Sequence, residues 1–433
     1  MLAPSTLIGR PLNATLFIGP AGPVDAATVL RAAHRVSGGL PPGSGSVLNL
    51  CNDRLRFAVG FLAAVLSGRP CVLASDRSDA GRAFLQARFP DAVTLTDAMA
   101  APLDADRHGP PPPNPVIDPT QLAAIVLTSG STGVPGAHEK RWGALVQRSL
   151  AAAERFGWAP DCTILATVPP QHMYGLETSV LLPLHAHVAS WHGPALLPAD
   201  IRAGMAAVPG PVDLVTTPLH LRALLDAGGR LGARHRRTIS ASAPLDPALA
   251  AAAEQAWLSP VEEIFGATEI GSIASRRTVQ DESWLAYPGV TLQATEDGTI
   301  VTAPHHAAVA LADLVEVDGA RFRVLGRRAD LVKMAGKRTS LAALTLALGG
   351  LEGVEDAAFY APDDLDQRST ARLVAFAVAP TRRPEDLLAE LRRQIDPAFL
   401  PRRVVQVERL PRNEVGKLPR HALAALHAAT ARL

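Results

Sequence analysis

One short loop of this sequence carries an unusual density of hydroxyl groups and glycines. Residues 128–135 read Thr-Ser-Gly-Ser-Thr-Gly-Val-Pro and follow an apolar run at 122–127 that predicts a buried strand. Glycine lets backbone N–H groups turn inward, and side-chain hydroxyls add donors for phosphate oxygens. The loop is therefore a candidate phosphate site, although a surface turn is the commoner outcome of such a composition. The residues that would contact phosphate are Thr128, Ser129, Gly130, Ser131, Thr132 and Gly133.

Three segments farther along the chain make the interpretation of the loop more specific. They are 264–269 (Ile-Phe-Gly-Ala-Thr-Glu), 326–333 (Gly-Arg-Arg-Ala-Asp-Leu-Val-Lys) and 411–420 (Pro-Arg-Asn-Glu-Val-Gly-Lys-Leu-Pro-Arg). Together with the loop, and in this order, they resemble the motifs of the adenylate-forming superfamily. That superfamily includes acyl- and aryl-CoA synthetases, nonribosomal peptide adenylation domains and firefly luciferase. The resemblance extends from about Asn52 to the C-terminus.

The resemblance implies a ligase that uses ATP and Mg²⁺. A carboxylic acid, aryl or acyl, would become an acyl-AMP with loss of pyrophosphate. The acyl group would then pass to the thiol of CoA or of the phosphopantetheine arm of an acyl carrier protein. Both reactants of the first step are anionic, so the site must supply positive charge where pyrophosphate leaves. A reduced N-terminal region and an altered loop resemble small bacterial synthetases of polyketide or aryl-polyene type pathways.

Two other classes of function are compatible with a phosphate loop. A phosphate-loop ATPase or kinase is opposed by the absence of Gly-Lys-Ser/Thr at the required spacing. A non-catalytic nucleotide-binding protein could keep the same fold and lose turnover. The joint presence of Glu269, Asp313, Arg327 and Lys417 argues against that second alternative.

The resemblance assigns the reacting groups to a few residues. Thr268 would contact the α-phosphate, and Glu269 would bind Mg²⁺, a hard cation that prefers carboxylate oxygen. Lys417, in the closing Gly-Lys motif, would bridge the acid's carboxylate and the α-phosphate in the transition state. An exposed turn is the ordinary setting of such residues taken alone, so these roles depend on the combination of motifs.

Other residues of the resemblance would hold the adenosine. Phe265 stands where the family usually has Tyr and keeps a face for stacking on adenine, and Gly266 follows it. Asp313 would accept hydrogen bonds from both ribose hydroxyls, with Arg327 as its partner on the same sugar. The turn of small residues beside adenine would comprise Ser242, Ala243 and Pro244.

Two residues bear on the thiol and on domain movement. His172 would stand between the acyl pocket and the approaching thiol, or it is a satisfied core histidine. Asp330 is the position at which the family's small domain swivels between the two half-reactions. We expect residues 1–326 to form an N-terminal ATP- and carboxylate-binding domain, and 327–433 a mobile C-terminal lid domain.

One departure from the family pattern concerns the charge on the phosphate loop. The family loop normally continues Pro-Lys-Gly, whereas here Pro135 is followed by Gly136 and the next lysine is Lys140. Either Lys140 reaches back to the phosphates, or this subgroup does without that charge.

Composition excludes several other classes of partner. The chain has 42 basic and 41 acidic residues in 433, and the net charge of +1 gives no overall reason to bind nucleic acid or anionic membrane. Three cysteines, Cys51, Cys71 and Cys162, are too few for a disulfide framework or a spaced zinc site. They predict buried free thiols in a reducing, cytoplasmic compartment. The clearest apolar stretch, 57–68, is too short to span a bilayer.

The pattern of apolar residues predicts an α/β fold. Short apolar runs such as 47–50 and 71–73 alternate with helical patterns such as 55–66, which indicates helices layered on largely parallel sheets. A proline-rich stretch at 109–113 is typical of a stiff linker. After Gly326, strand-like runs at 372–379 and 404–408 surround a helical pattern at 386–395 and predict a small α/β domain.

Overall fold

A computed structural model shows an α/β protein in which sheets alternate with layers of helices. It describes residues 5–43, 45–73, 78–100, 104–128, 136–158, 160–296, 298–304, 306–327, 330–334, 336–362, 372–412, 416 and 418–430. The helices are α1 (Ala26–Gly38), α2 (Arg54–Leu66), α3 (Asp79–Arg88), α4 (Asp97–Ala100), α5 (Trp142–Phe156), α6 (Met173–Leu176), α7 (Leu182–His185), α8 (Pro198–Ala207), α9 (Pro218–Asp226), α10 (Pro247–Trp257), α11 (Leu341–Gly349), α12 (Pro384–Gln394) and α13 (Arg420–Thr430). A π-helical turn, Glu177–Leu181, joins α6 to α7.

The strands, numbered in chain order, are β1 (Ser5–Thr6), β2 (Thr15–Gly19), β3 (Gly22–Asp25), β4 (Val47–Asn49), β5 (Cys71–Leu73), β6 (Val93–Leu95), β7 (Val116–Ile117), β8 (Leu122–Thr128), β9 (Gly136–Arg141), β10 (Thr163–Ala166), β11 (Ala189–Trp191), β12 (Val212–Thr216), β13 (His235–Ser240), β14 (Val261–Ala267), β15 (Gly271–Arg277), β16 (Trp284–Ala286), β17 (Thr291–Thr295), β18 (Gly298–Thr302), β19 (Val309–Leu311), β20 (Asp313–Asp318), β21 (Arg321–Arg327), β22 (Leu331–Met334), β23 (Lys337–Ser340), β24 (Asp356–Tyr360), β25 (Val374–Val378) and β26 (Val404–Gln406).

The largest sheet carries the edge at which the candidate site forms. Its strand order is β20-β21-β16-β15-β14-β13-β12-β10-β11-β2-β3. The central strands, from β14 to β2, pair in parallel, and the strands at both ends pair antiparallel. Helix α9 connects β12 to β13 and α10 connects β13 to β14, as parallel pairing requires. The prediction of helices layered on largely parallel sheets is confirmed.

A second sheet contains the strand that precedes the phosphate loop. Its order is β6-β4-β5-β8-β9, in which β8 and β9 form an antiparallel hairpin around residues 129–135. The predicted strands at 47–50, 71–73 and 122–127 are therefore present as β4, β5 and β8. The predicted helix at 55–66 is α2, which is buried on nearly every side because its sequence is apolar around the whole circumference.

The C-terminal residues form hydrophobic clusters of their own. Strands β24, β25 and β26 make a three-stranded sheet, which is covered by α11, α12 and α13. The two clusters that fill this unit run from Val332 to Val404 and from Ala358 to Leu423. The predicted strand-like runs at 372–379 and 404–408 correspond to β25 and β26, and the helical pattern between them corresponds to α12.

The cysteines are free and buried, as the sequence predicted. Burial raises the pKa of Cys51, Cys71 and Cys162 to about 12, so these thiols are protonated at neutral pH. Within the ranges given above, no helix combines the length and the apolar character needed to cross a membrane.

Candidate active site

The carboxyl ends of four neighbouring parallel strands meet at one edge of the largest sheet. Strands β10, β12, β13 and β14 end at Ala166, Thr216, Ser240 and Ala267. In open α/β sheets, ligands bind outside this kind of edge. Two of the segments predicted from the sequence lie here. Residues 242–244 follow β13, and residues 264–269 include the end of β14 and the turn after it.

A hydrogen-bonded network links two of these strand ends. The Thr167 hydroxyl lies 2.9 Å from the Thr216 hydroxyl and 3.0 Å from Nδ1 of His220. The hydroxyl of Thr217, which caps α9, lies 3.3 Å from the same nitrogen. Burial lowers the pKa of His220, so its ring is neutral at pH 7 and can accept a hydrogen bond from a threonine. The ends of β10 and β12 are therefore joined by a buried polar network.

Ser242 is held in an unusual backbone conformation at the end of β13. Its φ is 78°, in the left-handed region that only a few non-glycine residues adopt. Its hydroxyl oxygen is buried and has no hydrogen-bond partner among the residues that the structure describes. Ala243 is half-buried beside it and Pro244 is exposed. A strained residue with an unused hydroxyl at a strand end is typical of a binding site.

Phe265 and Gly266 lie where β14 approaches its turn. The Phe265 ring packs against Trp284 and Phe322, with ring centroids 5.3 and 5.5 Å away. A Cβ at position 266 would lie 2.4 Å from the carbonyl oxygen of Gly271 on β15, so only glycine fits there. The register shifts between Phe265 and Gly266, and this bulge brings the following residues out at the sheet edge.

Lys140 joins the two hairpins that carry the predicted phosphate and magnesium motifs. In the first hairpin Thr128 pairs with Gly136, so the phosphate loop lies between two paired strand ends. Lys140, on β9, is only 3% exposed, and its Nζ donates to the carbonyl oxygen of Glu269 at 2.5 Å. Thr268 and Glu269 form the turn between β14 and β15 and are half-buried. Lys140 therefore does not point to solvent, and it connects the phosphate-loop hairpin to this turn.

Further buried charges surround this connection. Glu177 begins the π-helical turn, and its carboxylate accepts from the backbone N–H of Ser272 at 3.2 Å. Burial raises the pKa of Glu177, although the Ser272 hydrogen bond and the cations Arg148 and Lys140 act in the opposite direction. Arg148 is 2% exposed, and its Nε and Nη1 have no hydrogen-bond partner in the part of the chain that the structure describes. Two cations and one carboxylate are thus enclosed beneath the Glu269 turn.

Gly271 allows this cluster to pack directly under the turn. A Cβ at position 271 would lie 2.2 Å from Oε1 of Glu177 and 3.5 Å from Cγ of Arg148, and its φ is +91°. Glycine is therefore required at position 271 both by the space and by the backbone conformation.

His306 also lies near these charges, in the loop before β19. Burial lowers its pKa, and the cations Lys140 and Arg148 lower it further.

Two predicted ribose residues are cross-strand neighbours. Asp313 on β20 lies opposite Arg327 on β21 in the antiparallel register. The backbone of Asp313 is fixed by the Thr299 hydroxyl, which donates to its carbonyl oxygen at 2.6 Å. Asp330 is half-buried just before β22, at the start of the C-terminal unit.

His172 caps the helix that leads to Glu177. It is the N-cap residue of α6, and its Nδ1 accepts from the backbone N–H of Tyr174 at 3.3 Å. The structure describes it as half-buried, so one side of the ring is accessible.

The residue next to Lys417 reaches the same sheet edge. Gly416 has a φ of +76°, and a Cβ at this position would lie 3.3 Å from Cβ of Leu219, in the first turn of α9. Arg412 donates to the Gly416 carbonyl at 2.8 Å and to the Asp356 carboxylate, also at 2.8 Å. The C-terminal unit therefore approaches the first turn of α9, which follows β12, through this glycine.

Some of the predicted site falls outside the described residues. This holds for Ser129, Gly130, Ser131, Thr132, Gly133 and Lys417. For Thr128 and Arg327 the structure describes the strand position alone. Their proposed contacts with ATP rest on the sequence motifs and on the elements that flank them.

Comparisons with known proteins identify the class of this protein as an enzyme that activates a carboxylic acid with ATP. The chain belongs to the AMP-binding enzyme family, whose family model matches residues 71–304, and the AMP-binding enzyme C-terminal domain matches residues 346–417. It is an acid–thiol ligase that forms an acyl-AMP, releases pyrophosphate and passes the acyl group to a thiol. The alternative of a phosphate-loop ATPase or kinase is not favoured.

Named relatives agree with this assignment, and a solved structure shares the fold. The chain is 32% identical over 306 residues to a 4-coumarate–CoA ligase of Halorhodospira halophila, a match that covers 67% of this chain and 73% of that protein. It is 27% identical to a probable 2-succinylbenzoate–CoA ligase of Mycobacterium tuberculosis, over 70% of this chain and 84% of that protein. The fold is similar to the anthranilate–CoA ligase AuaEII in complex with anthranoyl-AMP, with a TM-score of 0.82, 17% identity and coverage of 98% and 96%.

Proposed function

We propose that this chain is a Mg²⁺-dependent aromatic acid–CoA ligase. The observation that carries the proposal is a hydrogen bond between the β8–β9 hairpin and the β14–β15 hairpin. Lys140 Nζ donates to the Glu269 carbonyl oxygen at 2.5 Å. This link joins β9, the strand that follows the phosphate-loop motif, to the Thr268–Glu269 turn, and so it supports a single site for triphosphate, metal and α-phosphate. The named relatives act on 4-coumarate and 2-succinylbenzoate, which supports an aromatic acid and CoA for this chain as well.

The phosphate end of the site would be divided between two turns. The hydroxyls and N–H groups of 128–133 would hold the β- and γ-phosphates, and Thr268 would donate to the α-phosphate. Glu269 would bind Mg²⁺, which keeps several waters and needs one or two carboxylates together with substrate phosphates. The metal would neutralise charge on the pyrophosphate as it leaves.

The nucleoside end would lie between β13 and the β20–β21 pair. The unused Ser242 hydroxyl, with Ala243 and Pro244, would line the adenine together with Phe265 and Gly266. Asp313 would accept from the ribose hydroxyls and Arg327 would contact the same sugar.

Lys417 would act at the reacting atoms. In the first half-reaction a carboxylate oxygen attacks the α-phosphorus, the bond to the β-phosphate oxygen breaks, and pyrophosphate leaves. An ammonium that bridges the carboxylate and the α-phosphate would stabilise the charge that builds up there. The contact of Gly416 with Leu219 supports this role, because it places the neighbour of Lys417 at the site edge.

The second half-reaction would need a different arrangement. The thiol sulfur attacks the acyl carbonyl carbon and AMP leaves, so the thiol must reach the position beside His172. We propose that 327–433 is a mobile lid on the domain 1–326 and that Asp330 is its hinge. Rotation of the lid would move Lys417 out of the site and let the thiol enter.

Acid-dependent exchange of labelled pyrophosphate into ATP tests this function. A panel of benzoates, cinnamates and fatty acids would be compared, followed by thioester formation with CoA or with a phosphopantetheinylated carrier protein. We expect the highest exchange with an aromatic acid and the thioester on CoA. Exchange with fatty acids alone, or transfer to the carrier alone, would reject the corresponding part of the proposal.

A further inference from the structure

The buried position of Lys140 requires a specific reason. Transfer of an ammonium group out of water is costly unless it is paired and hydrogen-bonded. Lys140 is 3% exposed, and it pairs with a backbone carbonyl rather than with a surface carboxylate. Lys140 lies on β9, which is the second strand of the phosphate-loop hairpin. A lysine in this place is therefore expected to serve the site that the hairpin carries.

The target of the ammonium is the peptide that orients Glu269. A hydrogen bond to the Glu269 carbonyl fixes the plane of the peptide bond that follows Glu269, and so limits how the turn can rotate. Thr268 and Glu269 are half-buried and lie at the tip of the β14–β15 hairpin, so a hydrogen bond to the turn restrains its conformation directly. An error of about 1 Å in the position of a reacting group can cost on the order of 100-fold in rate.

The surrounding charges keep the ammonium in place. Glu177 and Glu269 favour the charged form of Lys140, whereas burial opposes it, and the pKa is lowered to about 8. Arg148 on α5 supplies the second cation beside Glu177, and His306 faces the group from the loop before β19.

We propose that Lys140 is a positioning residue for adenylation, which acts by holding the Glu269 carbonyl and thereby the Thr268–Glu269 turn against the phosphate-loop hairpin. The proposal rests on the proposed roles of Thr268 and Glu269. It differs from a direct phosphate contact, because the ammonium acts through the protein backbone. A positioning role also explains why β9 carries a buried lysine although the phosphate loop lacks the lysine of the usual Pro-Lys-Gly.

The test compares Lys140→Met with Arg141→Met. Methionine keeps the length and apolar volume of the lysine but cannot donate. Arg141 is a matched control, since it is the next residue of the same strand and also donates to a carbonyl, that of Thr120 at 2.6 Å, on the exposed side. Pyrophosphate exchange would be measured as a function of Mg²⁺, and thioester formation from supplied acyl-AMP would be measured separately.

We expect Lys140→Met to lower the maximal exchange rate roughly 10- to 100-fold and to raise the Mg²⁺ concentration for half-maximal exchange. Transfer from acyl-AMP should fall much less, because that half-reaction expels no pyrophosphate and keeps only the Thr268 contact with the remaining phosphate. Arg141→Met should behave as wild type in both. If Lys140→Met matches Arg141→Met, or if both half-reactions fall together, Lys140 has no positioning role. If wild type shows no exchange with any acid, the proposed function fails and this proposal fails with it.

A second variant separates positioning from the effect of an unbalanced carboxylate. Removal of Lys140 leaves Glu177 buried with Arg148 as its remaining cation, which should lower stability. The double variant Lys140→Met with Glu177→Gln should recover the unfolding temperature but not the exchange rate or the Mg²⁺ dependence. Recovery of exchange along with stability would show that Lys140 is a structural partner of Glu177 and would overturn the proposal.

Discussion

Asp313 and Arg327 stand directly opposite each other on β20 and β21 because of one extra residue in β21. From Asp318 to Val315 the register is regular, and it shifts between Leu314 and Val315. Without that bulge, Gly326 would lie opposite Asp313. Bulges re-aim side chains next to active sites, and this one aligns the two residues proposed to hold the ribose.

This pairing predicts a specific role for Asp313 in ATP binding. Asp313→Ala should lower kcat/KM for ATP by roughly 10- to 100-fold, because a carboxylate that accepts from two hydroxyls is lost, while the KM for the acid changes little. Asp318→Ala is the matched control, since Asp318 lies opposite Arg321 in the regular part of the same ladder and is exposed. Equal effects of the two substitutions on ATP would contradict the ribose contact.

The amino-acid sequence was sufficient to predict the layers of the fold and the order of the motifs. The apolar run at 122–127 was predicted as a buried strand and appears as β8, which pairs in parallel with β5 and antiparallel with β9. Asp313 and Arg327 could be predicted as partners because both lie in motifs with fixed spacing. Their alignment by a bulge was not predicted, although Gly326, with a φ of +124° beside the extra residue Leu325, is the kind of strand glycine that often marks one.

The buried cluster beneath the Glu269 turn was not predicted. Strand β9 reads Gly-Ala-His-Glu-Lys-Arg, which is typical of a solvated edge strand. The buried Lys140 ammonium contacts the Glu269 turn of the β14–β15 hairpin, which belongs to another sheet, and such a contact between sheets leaves no local sequence pattern. Arg148 and Glu177 do interrupt apolar segments, and that interruption is the signal that could have identified them.

The lowered pKa of Lys140 predicts opposite effects of pH on stability and activity. The folded pKa is about 8, whereas the unfolded chain has an ordinary value near 10.4. Between these values the unfolded chain binds more protons, so the contribution of Lys140 to stability should increase as pH rises from about 8 to 10. Adenylation should decline over the same range, because the ammonium is lost.

The measurement compares wild type with Lys140→Met across this range. Unfolding free energy should rise more steeply with pH for wild type, and the alkaline decline in exchange should be smaller for the variant. Parallel pH profiles of the two proteins in both assays would show that Lys140 does not titrate in this window.

Lys417 should matter for the first half-reaction and not for the second. Lys417→Ala should lower pyrophosphate exchange by about 10²- to 10³-fold, the usual loss for one preorganised donor at a transition state. Transfer from supplied acyl-AMP should remain. Lys337→Ala removes an exposed lysine that pairs with Asp396 in the same C-terminal unit, and it serves as the control for net charge. Unchanged exchange in Lys417→Ala would remove that residue from the mechanism.

The hinge proposal predicts a separation of the two half-reactions. Proline fixes φ near −65°, so Asp330→Pro should hold the C-terminal unit in one orientation. Exchange should survive and thioester formation should fall sharply. Asp330→Ala reports the loss of the side chain without the backbone restraint and should leave both steps near wild type. An equal decline of both half-reactions in the folded proline variant would place the hinge elsewhere.

The proposed mechanism depends above all on a bond that forms between the acid's carboxylate oxygen and the α-phosphorus of ATP. An aromatic acid labelled with ¹⁸O in both carboxylate oxygens, incubated with the enzyme, ATP, Mg²⁺ and CoA, tests this directly by mass spectrometry of the nucleotide product. If acyl-AMP forms, we expect each turnover to give AMP that carries one labelled oxygen, together with unlabelled pyrophosphate. Label in inorganic phosphate, with ADP as the nucleotide product, would contradict it.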